Sequence, residues 1–246
     1  MKHMYKVALI TGGARGLGAS MASDLAQSGW KVYATYKNER AEEDLQSSKQ
    51  NTNIQLIKCD IGKNSEIERL KIFLQEKYGY IDALINNAGI NRRETMWEVT
   101  EDSWDDILNT NLKAQFFFTR TLWDLVAVSR LRRIIFISSA AGQYHGPKTL
   151  HYAVSKAGLI SMTKVMARYG AVDGIFVNAI APGLIETEQT KDEFASGAAN
   201  EIIQKTTLLG RQGYPADVNS ALRFLLDEQQ NYMTGQVLSV SGGAIL

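Results

Sequence analysis

The amino-acid sequence predicts an α/β fold in which parallel strands form one open, doubly wound sheet and helices cover both of its faces. Two observations indicate this fold. Segments rich in β-branched and aromatic residues alternate with segments of helical apolar spacing, and a glycine-rich turn follows the first strand-like segment. Such alternation implies right-handed crossovers between parallel strands. Because no Pro/Gly/Ser-rich linker or repeat interrupts the 246 residues, we predict one domain over positions 1–246.

Seven segments have the composition of β-strands, and helical segments separate them. The strand segments are Val7 to Thr11, Val32 to Tyr36, Ile54 to Lys58, Ala83 to Asn86, Ile134 to Ser138, Ile175 to Ile180 and Gln236 to Val240. Helical spacing is found at Leu17, Met21 and Leu25, at Ile67, Leu70, Ile72 and Leu74, and at Ile107, Leu108 and Leu112 after the polar start Thr100 to Ser103. Ligands of open parallel sheets bind outside the carboxyl ends of the strands, so chemistry is expected there.

Charge balance and cysteine content exclude several classes of function. Lys and Arg number 27 against 26 Asp and Glu, which leaves no broad basic field for nucleic acid or anionic lipid. The single Cys59 cannot form an internal disulfide, and no Cys/His cluster has zinc-ligand spacing. No apolar run approaches the ~18 residues of a membrane span. The sequence therefore predicts a cytoplasmic enzyme without a metal, nucleic-acid or membrane partner.

The turn after the first strand has the chemistry of a phosphate site. Gly12, Gly16 and Gly18 let the chain turn sharply and begin a helix whose amide groups and dipole face an anion. The pyrophosphate of a dinucleotide fits such a turn, although several unrelated phosphate loops share it.

The end of the second strand bears on which dinucleotide is bound. Tyr36 and Lys37 stand where NAD-preferring folds usually place an acid for the ribose hydroxyls. The missing acid, together with Lys37 and Arg15, favours a 2′-phosphate partner and hence NADP(H), with NAD(H) as the alternative. In the other interpretation both bases are solvated surface charges.

A tyrosine and a lysine four residues apart are the candidate proton-transfer groups. Tyr152 and Lys156 lie on one face of a predicted helix, so both can point at the same bound molecule. A cation beside a phenol favours the phenolate, so the pair predicts a lowered tyrosine pKa and acid–base catalysis near neutral pH. Such pairs also occur on solvated helices, and only the combination with the glycine turn indicates catalysis.

Motifs along the chain resemble those of the short-chain dehydrogenase/reductase family. The turn Thr11 to Gly18 is similar to the family's TGxxxGxG, Asn86 to Gly89 to its NNAG, and Pro182 to Thr187 to its PGxIxT. Ser139 fits the SxxG pattern, and the tyrosine–lysine pair and the last strand also match, so the resemblance extends from Lys6 to about Gly243. It implies a Rossmann fold and hydride transfer between a nicotinamide and a carbonyl or alcohol carbon.

The resemblance also implies roles for individual residues. The catalytic residues are Asn111, Ser139, Tyr152 and Lys156. Ser139 would bind the substrate carbonyl, Tyr152 would donate the proton, Lys156 would bind the nicotinamide ribose, and Asn111 would hold a water in the proton path. Asn109 and Ser138 are the neighbouring rivals of Asn111 and Ser139.

The implied cofactor contacts lie at the ends of several strands. They are Gly12, Arg15, Gly16, Leu17, Gly18, Tyr36, Lys37, Asp60, Ile61, Asn87, Ala88, Gly89, Tyr152, Lys156, Pro182, Gly183, Ile185 and Thr187. Asp60 would meet the adenine with Ile61 packed beside it, whereas the alternative is that Asp60 only caps the helix beginning near Asn64. Ile185 would meet the nicotinamide amide and Thr187 the phosphates.

For the substrate, the pattern is most similar to 3-oxoacyl-(acyl carrier protein) reductases and acetoacetyl-CoA reductases, which implies NADPH-dependent reduction of a 3-oxoacyl thioester. One alternative is an NAD(P)-dependent dehydrogenase of another secondary alcohol, such as a sugar, a steroid or a biosynthetic intermediate. The other is a catalytically silent cofactor-sensing or scaffold protein, in which the tyrosine–lysine motif would be broken.

The resemblance extends to partners and to a substrate lid. Arg130, with Arg132 and Arg133, would contact an acyl carrier protein, although Asp173 stands where a second base is common and the arginines suit a solvated turn equally well. A substrate lid is expected at about 184–209, with Tyr144, His145, His151 and Leu184 as candidate pocket residues and His151 alternatively structural. Because members of the family are mostly tetramers, the resemblance implies that this protein is a homotetramer.

Overall fold

The parallel sheet that the sequence predicts is present. The computed structural model describes residues 5–38, 52–144, 149–187, 190, 194–195 and 198–244. Within them, seven strands, all parallel, form one sheet in the order β3-β2-β1-β4-β5-β6-β7. The strands are β1 Val7–Ile10, β2 Lys31–Tyr36, β3 Ile54–Lys58, β4 Ala83–Asn86, β5 Arg133–Ile137, β6 Phe176–Pro182 and β7 Val237–Val240. Each predicted strand therefore exists, with ends displaced by at most two residues.

Helices follow the strands in the described part of the chain. They are α1 Gly16–Gln27, α2 Asn64–Lys77, α3 Glu101–Leu108, α4 Ala114–Ala127, α5 Leu150–Asp173, α6 Ala198–Thr206 and α7 Pro215–Leu226. A π-helical turn at Asn109–Lys113 joins α3 to α4, and a 3₁₀ turn at Ala140–Gly142 follows β5. None of the helices among these residues is long and apolar enough to cross a membrane.

Apolar cores on the two faces of the sheet hold the helices in place. Helices α2, α4 and α5 pack on one face, and α1 and α7 pack on the other. Strand β1 shows why both faces are covered: Val7 and Leu9 belong to one core, whereas Ala8 and Ile10 belong to the other. A continuous apolar strand is typical of a parallel sheet buried on both sides.

Two local predictions turn out differently. The polar start of α3 is a capping box, in which Thr100 Oγ1 accepts from the Ser103 amide at 3.1 Å and Ser103 Oγ accepts from the Thr100 amide at 3.0 Å. The helical pattern that follows is interrupted, however, by the π-helical turn. Ile72, included in the apolar face of α2, is 53% exposed; Ile67, Leu70 and Leu74 alone form the buried face.

Candidate active site

The glycine turn after β1 forms a cradle that depends on its glycines for conformation or for space. Gly12 and Gly16 have φ angles of +61° and +53°, which favour glycine. A Cβ on Gly18 would lie 2.2 Å from the Gly12 carbonyl oxygen. Helix α1 begins in this turn, so the positive end of its dipole lies there. The N-cap residue Arg15 makes no capping side-chain hydrogen bond. The cradle suits the pyrophosphate of a dinucleotide.

A groove of about 1000 Å³ runs from this cradle along the carboxyl ends of the strands. Its walls include most of the residues expected to contact a cofactor. These are Gly12, Arg15, Leu17, Gly18, Tyr36, Lys37, Asp60, Ile61, Asn87, Ala88 and Gly89. The other predicted contacts are not among its walls: Gly16, Tyr152, Lys156, Pro182, Gly183, Ile185 and Thr187. Pro182 ends β6, and the next three of these residues follow it. A Cβ on Gly16 would lie 3.9 Å from that of Thr187.

Thr11 joins the glycine turn to the end of β4. Its Oγ1 accepts hydrogen bonds from the amides of Asn87 and Ala88, each at 2.9 Å. In return, Asn87 Nδ2 donates to the carbonyl oxygens of Thr11 and Gly12 at 3.0 and 3.1 Å. Thr11 belongs to the glycine-rich motif found in the sequence, but no contact was predicted for its hydroxyl.

Asp60 and Lys37 form an ion pair on the groove wall, with Nζ and Oδ2 3.0 Å apart. Burial alone would raise the pKa of Asp60, but the hydrogen bond from the Gly62 amide and the charge of Lys37 bring it below its ordinary value. The helix that follows has Lys63 at its N-cap without a side-chain capping bond. Asp60 therefore does not cap that helix, and its carboxylate faces the base predicted to bind a 2′-phosphate.

Asn111 lies in the π-helical turn and is fully buried. Its Oδ1 accepts from the Ile90 amide at 2.8 Å, and its Nδ2 donates to the Ile90 carbonyl at 2.9 Å and to Ser155 Oγ at 3.1 Å. A Cβ on Gly89 would lie 3.2 Å from Asn111 Oδ1 and 3.5 Å from Lys156 Nζ. The Asn111 amide and the Lys156 ammonium thus both lie beside Gly89, and π-bulges are frequent at functional sites. The rival Asn109 is exposed.

Ser139, Tyr152 and Lys156 converge at the end of β5. The Tyr152 hydroxyl forms a hydrogen bond with Ser139, whose Oγ also accepts from the Ala141 amide at 3.1 Å. Lys156 Nζ donates to the Ile137 carbonyl at 2.8 Å and lies 5.7 Å from the centre of the Tyr152 ring. The rival Ser138 is buried and donates to the Lys156 carbonyl, so it braces the helix instead.

The protonation of this cluster differs from the sequence prediction. Burial raises the pKa of Tyr152, and the hydrogen bond with Ser139 only partly opposes this. The expected lowering by Lys156 is wrong for this arrangement, because the ammonium binds the Ile137 carbonyl and not the phenol. Burial, at 4% exposure, lowers the pKa of Lys156 itself to about 8. At neutral pH the tyrosine is a protonated acid beside a lysine that titrates near neutrality.

Lys156 makes the free energy of unfolding depend on pH. The folded protein holds the lysine pKa at about 8, whereas an unfolded chain returns it to roughly 10.4. Between these values the unfolded chain binds the extra proton, so stability rises with pH. From about pH 8 to about pH 10 we expect the wild type to gain about 2 kcal/mol relative to Lys156→Met. Urea titrations measure this; a difference that does not change with pH would contradict the lowered pKa.

Ser155 is a second residue that sequence reasoning missed. Its Oγ donates to the Tyr152 carbonyl at 2.7 Å and accepts from Asn111 Nδ2. It thereby joins the asparagine to the helix turn that carries the tyrosine. The only sequence signal was a small hydroxyl within the segment from Tyr152 to Lys156.

The arginines proposed for carrier-protein contact do not form one surface. Arg133 is the first residue of β5 and is 2% exposed. Its guanidinium carbon lies 4.2 Å from the centre of the Phe176 ring, and the guanidinium donates hydrogen bonds to backbone carbonyls. It cannot present its charge to a partner. Arg130 is exposed and pairs with Glu228, while Arg132 is exposed with a φ of +55°.

The candidate pocket residues also differ in accessibility. Tyr144 is exposed, Leu184 is partly buried, and His145 lies outside the described residues. His151 is completely buried, which excludes it from a pocket wall and favours the structural alternative. No group of three side chains among the described residues could hold a metal ion.

Comparison with known proteins assigns the chain to a family. Residues 12–244 match the family model described as Enoyl-(Acyl carrier protein) reductase. The chain belongs to the short-chain dehydrogenase/reductase family and is an oxidoreductase. The 3-oxoacyl-[acyl-carrier-protein] reductase FabG of Salmonella typhimurium is 34% identical over 238 residues, 97% of this chain and 96% of that protein.

Two further proteins share nearly the whole length. The acetoacetyl-CoA reductase of Shinella zoogloeoides is 34% identical over 240 residues, which are 98% of each chain. The solved structure of a tyrosine-to-phenylalanine variant of ElxO with NADPH bound has a TM-score of 0.90 at 29% identity. It covers 98% of this chain and 99% of the other.

Proposed function

We propose that this protein reduces the carbonyl of a 3-oxoacyl thioester to a secondary alcohol, with NADPH as the hydride donor. The observation that carries the proposal is the convergence of a protonated Tyr152 with Ser139, Lys156 and Asn111. Asn111 and Lys156 lie beside Gly89, which lines the groove that extends from the glycine cradle. The similarity to 3-oxoacyl and acetoacetyl thioester reductases over 96–98% of their length supports the substrate class. The intact tyrosine–lysine pair argues against a silent scaffold.

Four residues have separate roles in the proposed proton transfer. A bound nicotinamide supplies the hydride. Ser139 donates a hydrogen bond to the substrate carbonyl oxygen, and Tyr152, kept protonated by burial, donates its proton to the developing alkoxide. Lys156, with its pKa of about 8, returns a proton to the tyrosine. Asn111 Oδ1 keeps a second lone pair for a water between the lysine and solvent.

Lys37 and Arg15 would give the groove its preference for NADPH over NADH. Both are exposed basic residues on the wall near the end of β2. Because a charge-assisted hydrogen bond contributes about 1.5–3 kcal/mol, Lys37→Met should weaken NADPH binding by roughly tenfold or more and leave NADH binding unchanged. Calorimetric titration with both cofactors measures this. Lys63→Met, an exposed lysine paired with Glu66 outside the groove walls, is the matched control. Equal weakening of both cofactors would contradict the assignment.

A substrate panel tests the proposed reaction. Purified protein is mixed with NADPH or NADH and with 3-oxoacyl thioesters, simple ketones and oxidised sugars, and the nicotinamide absorbance is followed. We expect the highest kcat/KM for a 3-oxoacyl thioester with NADPH. A clear preference for sugars, or for oxidation of a secondary alcohol with NAD, would overturn the thioester assignment. Presenting the same acyl group on coenzyme A and on an acyl carrier protein shows which carrier is used.

The domain organisation, the substrate lid and the assembly are proposed from the family resemblance. Residues 1–246 would act as one dinucleotide-binding and catalytic domain, with a substrate lid at about 184–209. Within that segment Ile185 is held by a bridge to Gly213, and helix α6 follows, while positions 188–189, 191–193 and 196–197 lie outside the described residues. A homotetramer in the cytoplasm is the assembly that the family resemblance implies, and sedimentation measures it.

A further inference from the structure

A buried imidazole lies directly beside the proposed acid. His151 precedes Tyr152 and has 0% exposure, and its Nε2 is 3.1 Å from Glu94 Oε2. The same carboxylate oxygen accepts a hydrogen bond from Ser103 Oγ at 2.8 Å. The backbone of Glu94 also forms a parallel bridge with Thr149. Glu94 therefore contacts the starts of both α3 and α5 from the loop that follows β4.

Glu94 is one of the residues that contact the start of α5. Thr149, at its N-cap, has φ −144° and ψ 36° and makes no capping side-chain hydrogen bond. The first turn contains no acidic residue that would interact favourably with the helix dipole. The backbone bond from the Ala153 amide to the Thr149 carbonyl, at 2.7 Å, closes that turn. Tyr152 lies within it, so any shift of the turn moves the phenol.

The same loop is held at a second point. Asn111 binds the amide and the carbonyl of Ile90, four residues before Glu94. The loop thus connects Asn111 at one end with the Tyr152 turn at the other. Neither ring nitrogen of His151 has a well-directed hydrogen bond to the described residues, so its contact with Glu94 is a close approach of Nε2 and Oε2.

We propose that Glu94 and His151 are positioning residues that hold the first turn of α5 so that the Tyr152 hydroxyl stays within hydrogen-bond reach of Ser139. The proposal rests on the proposed function, in which Tyr152 is the acid. Its physical basis is that the Glu94 carboxylate lies against the buried His151 imidazole and contacts the first turns of both α3 and α5. Since a misplacement of about 1 Å can lower a rate by roughly 10²-fold, a small shift of this turn is sufficient to affect turnover.

Two readouts test the proposal with Glu94→Ala, Glu94→Gln and the control Met96→Ala, an exposed residue of the same loop. We expect Glu94→Ala to lower kcat by roughly 10- to 100-fold with KM unchanged, and Glu94→Gln to restore most of it because the amide oxygen still accepts from Ser103. Without substrate or cofactor, hydrogen exchange of the Ala153 amide should be about tenfold faster in Glu94→Ala than in the wild type. Met96→Ala should change neither readout.

The outcomes separate the two proposals. Unchanged kcat in Glu94→Ala, or a loss that Glu94→Gln does not restore, would overturn the positioning role. Unchanged exchange at Ala153 would overturn it as well, whatever the activity. A failure of the proposed function would instead appear as normal turnover by a variant that lacks the Tyr152 hydroxyl, and the exchange result does not depend on it.

Discussion

Replacement of Tyr152 by phenylalanine is expected to lower kcat by about 10²–10⁴-fold, because general acid catalysis typically contributes that much. The variant loses the hydroxyl that burial keeps protonated and that binds Ser139. The ring stays in place, and Lys156 keeps its own bond to the Ile137 carbonyl. Cofactor affinity should therefore be unchanged. Steady-state rates with a 3-oxoacyl thioester and calorimetric titration with NADPH measure the two effects.

Tyr169→Phe is the matched control for this substitution. Tyr169 lies on the same helix, but it is 71% exposed, so loss of its hydroxyl should leave both readouts unchanged. Turnover by Tyr152→Phe close to that of the wild type would refute the assignment of Tyr152 as the acid. A loss of NADPH binding in the same variant would indicate a positional role for the hydroxyl.

Gly142→Ala is expected to damage stability and activity together. Gly142 lies in the 3₁₀ turn after Ser139, and a Cβ there would lie 2.7 Å from the carbonyl carbon of Lys156 and 2.9 Å from the Ala157 amide nitrogen. These are backbone atoms of α5, so the turn or the helix must shift. Overpacking of this kind costs about 1–3 kcal/mol of unfolding free energy. The shift separates Ser139 from Tyr152, so kcat should fall by roughly 10²-fold.

Urea titration and steady-state kinetics measure both effects. Gly79→Ala is the control, because Gly79 has a φ of +77° and its Cβ would meet nothing closer than 3.7 Å. That variant should lose about 1 kcal/mol through left-handed strain and no activity. If Gly142→Ala has normal kcat, the packing of the turn against α5 does not set the position of Ser139.

The sequence predicted the sheet and most of the groove because their signals are local. Strand composition and helical spacing located all seven strands, and the glycines at Gly12 and Gly16 were recognised from the turn that they make possible. The relative positions of Ser139, Tyr152 and Lys156 were also predictable, since two lie one helical turn apart and the third lies at a neighbouring strand end. Their roles in the reaction remain predictions.

Other features could not be read from the chain because they depend on contacts between distant segments. The phenol pKa rises instead of falling because Lys156 finds the Ile137 carbonyl. Arg133 is enclosed by β6 and the segment after α7, so its charge is unavailable to a partner. His151 is buried against Glu94, far away in sequence.

By itself, the sequence determined the α/β architecture, the position of the glycine-rich turn and the spacing of the groups proposed for proton transfer. These follow from backbone conformations and side-chain periodicities that span only a few residues. The tertiary structure alone decided which groups are protonated, which are buried and which hold others in place. Desolvation and hydrogen-bond partners decide these properties, and they arise only when strands and helices distant along the chain pack together.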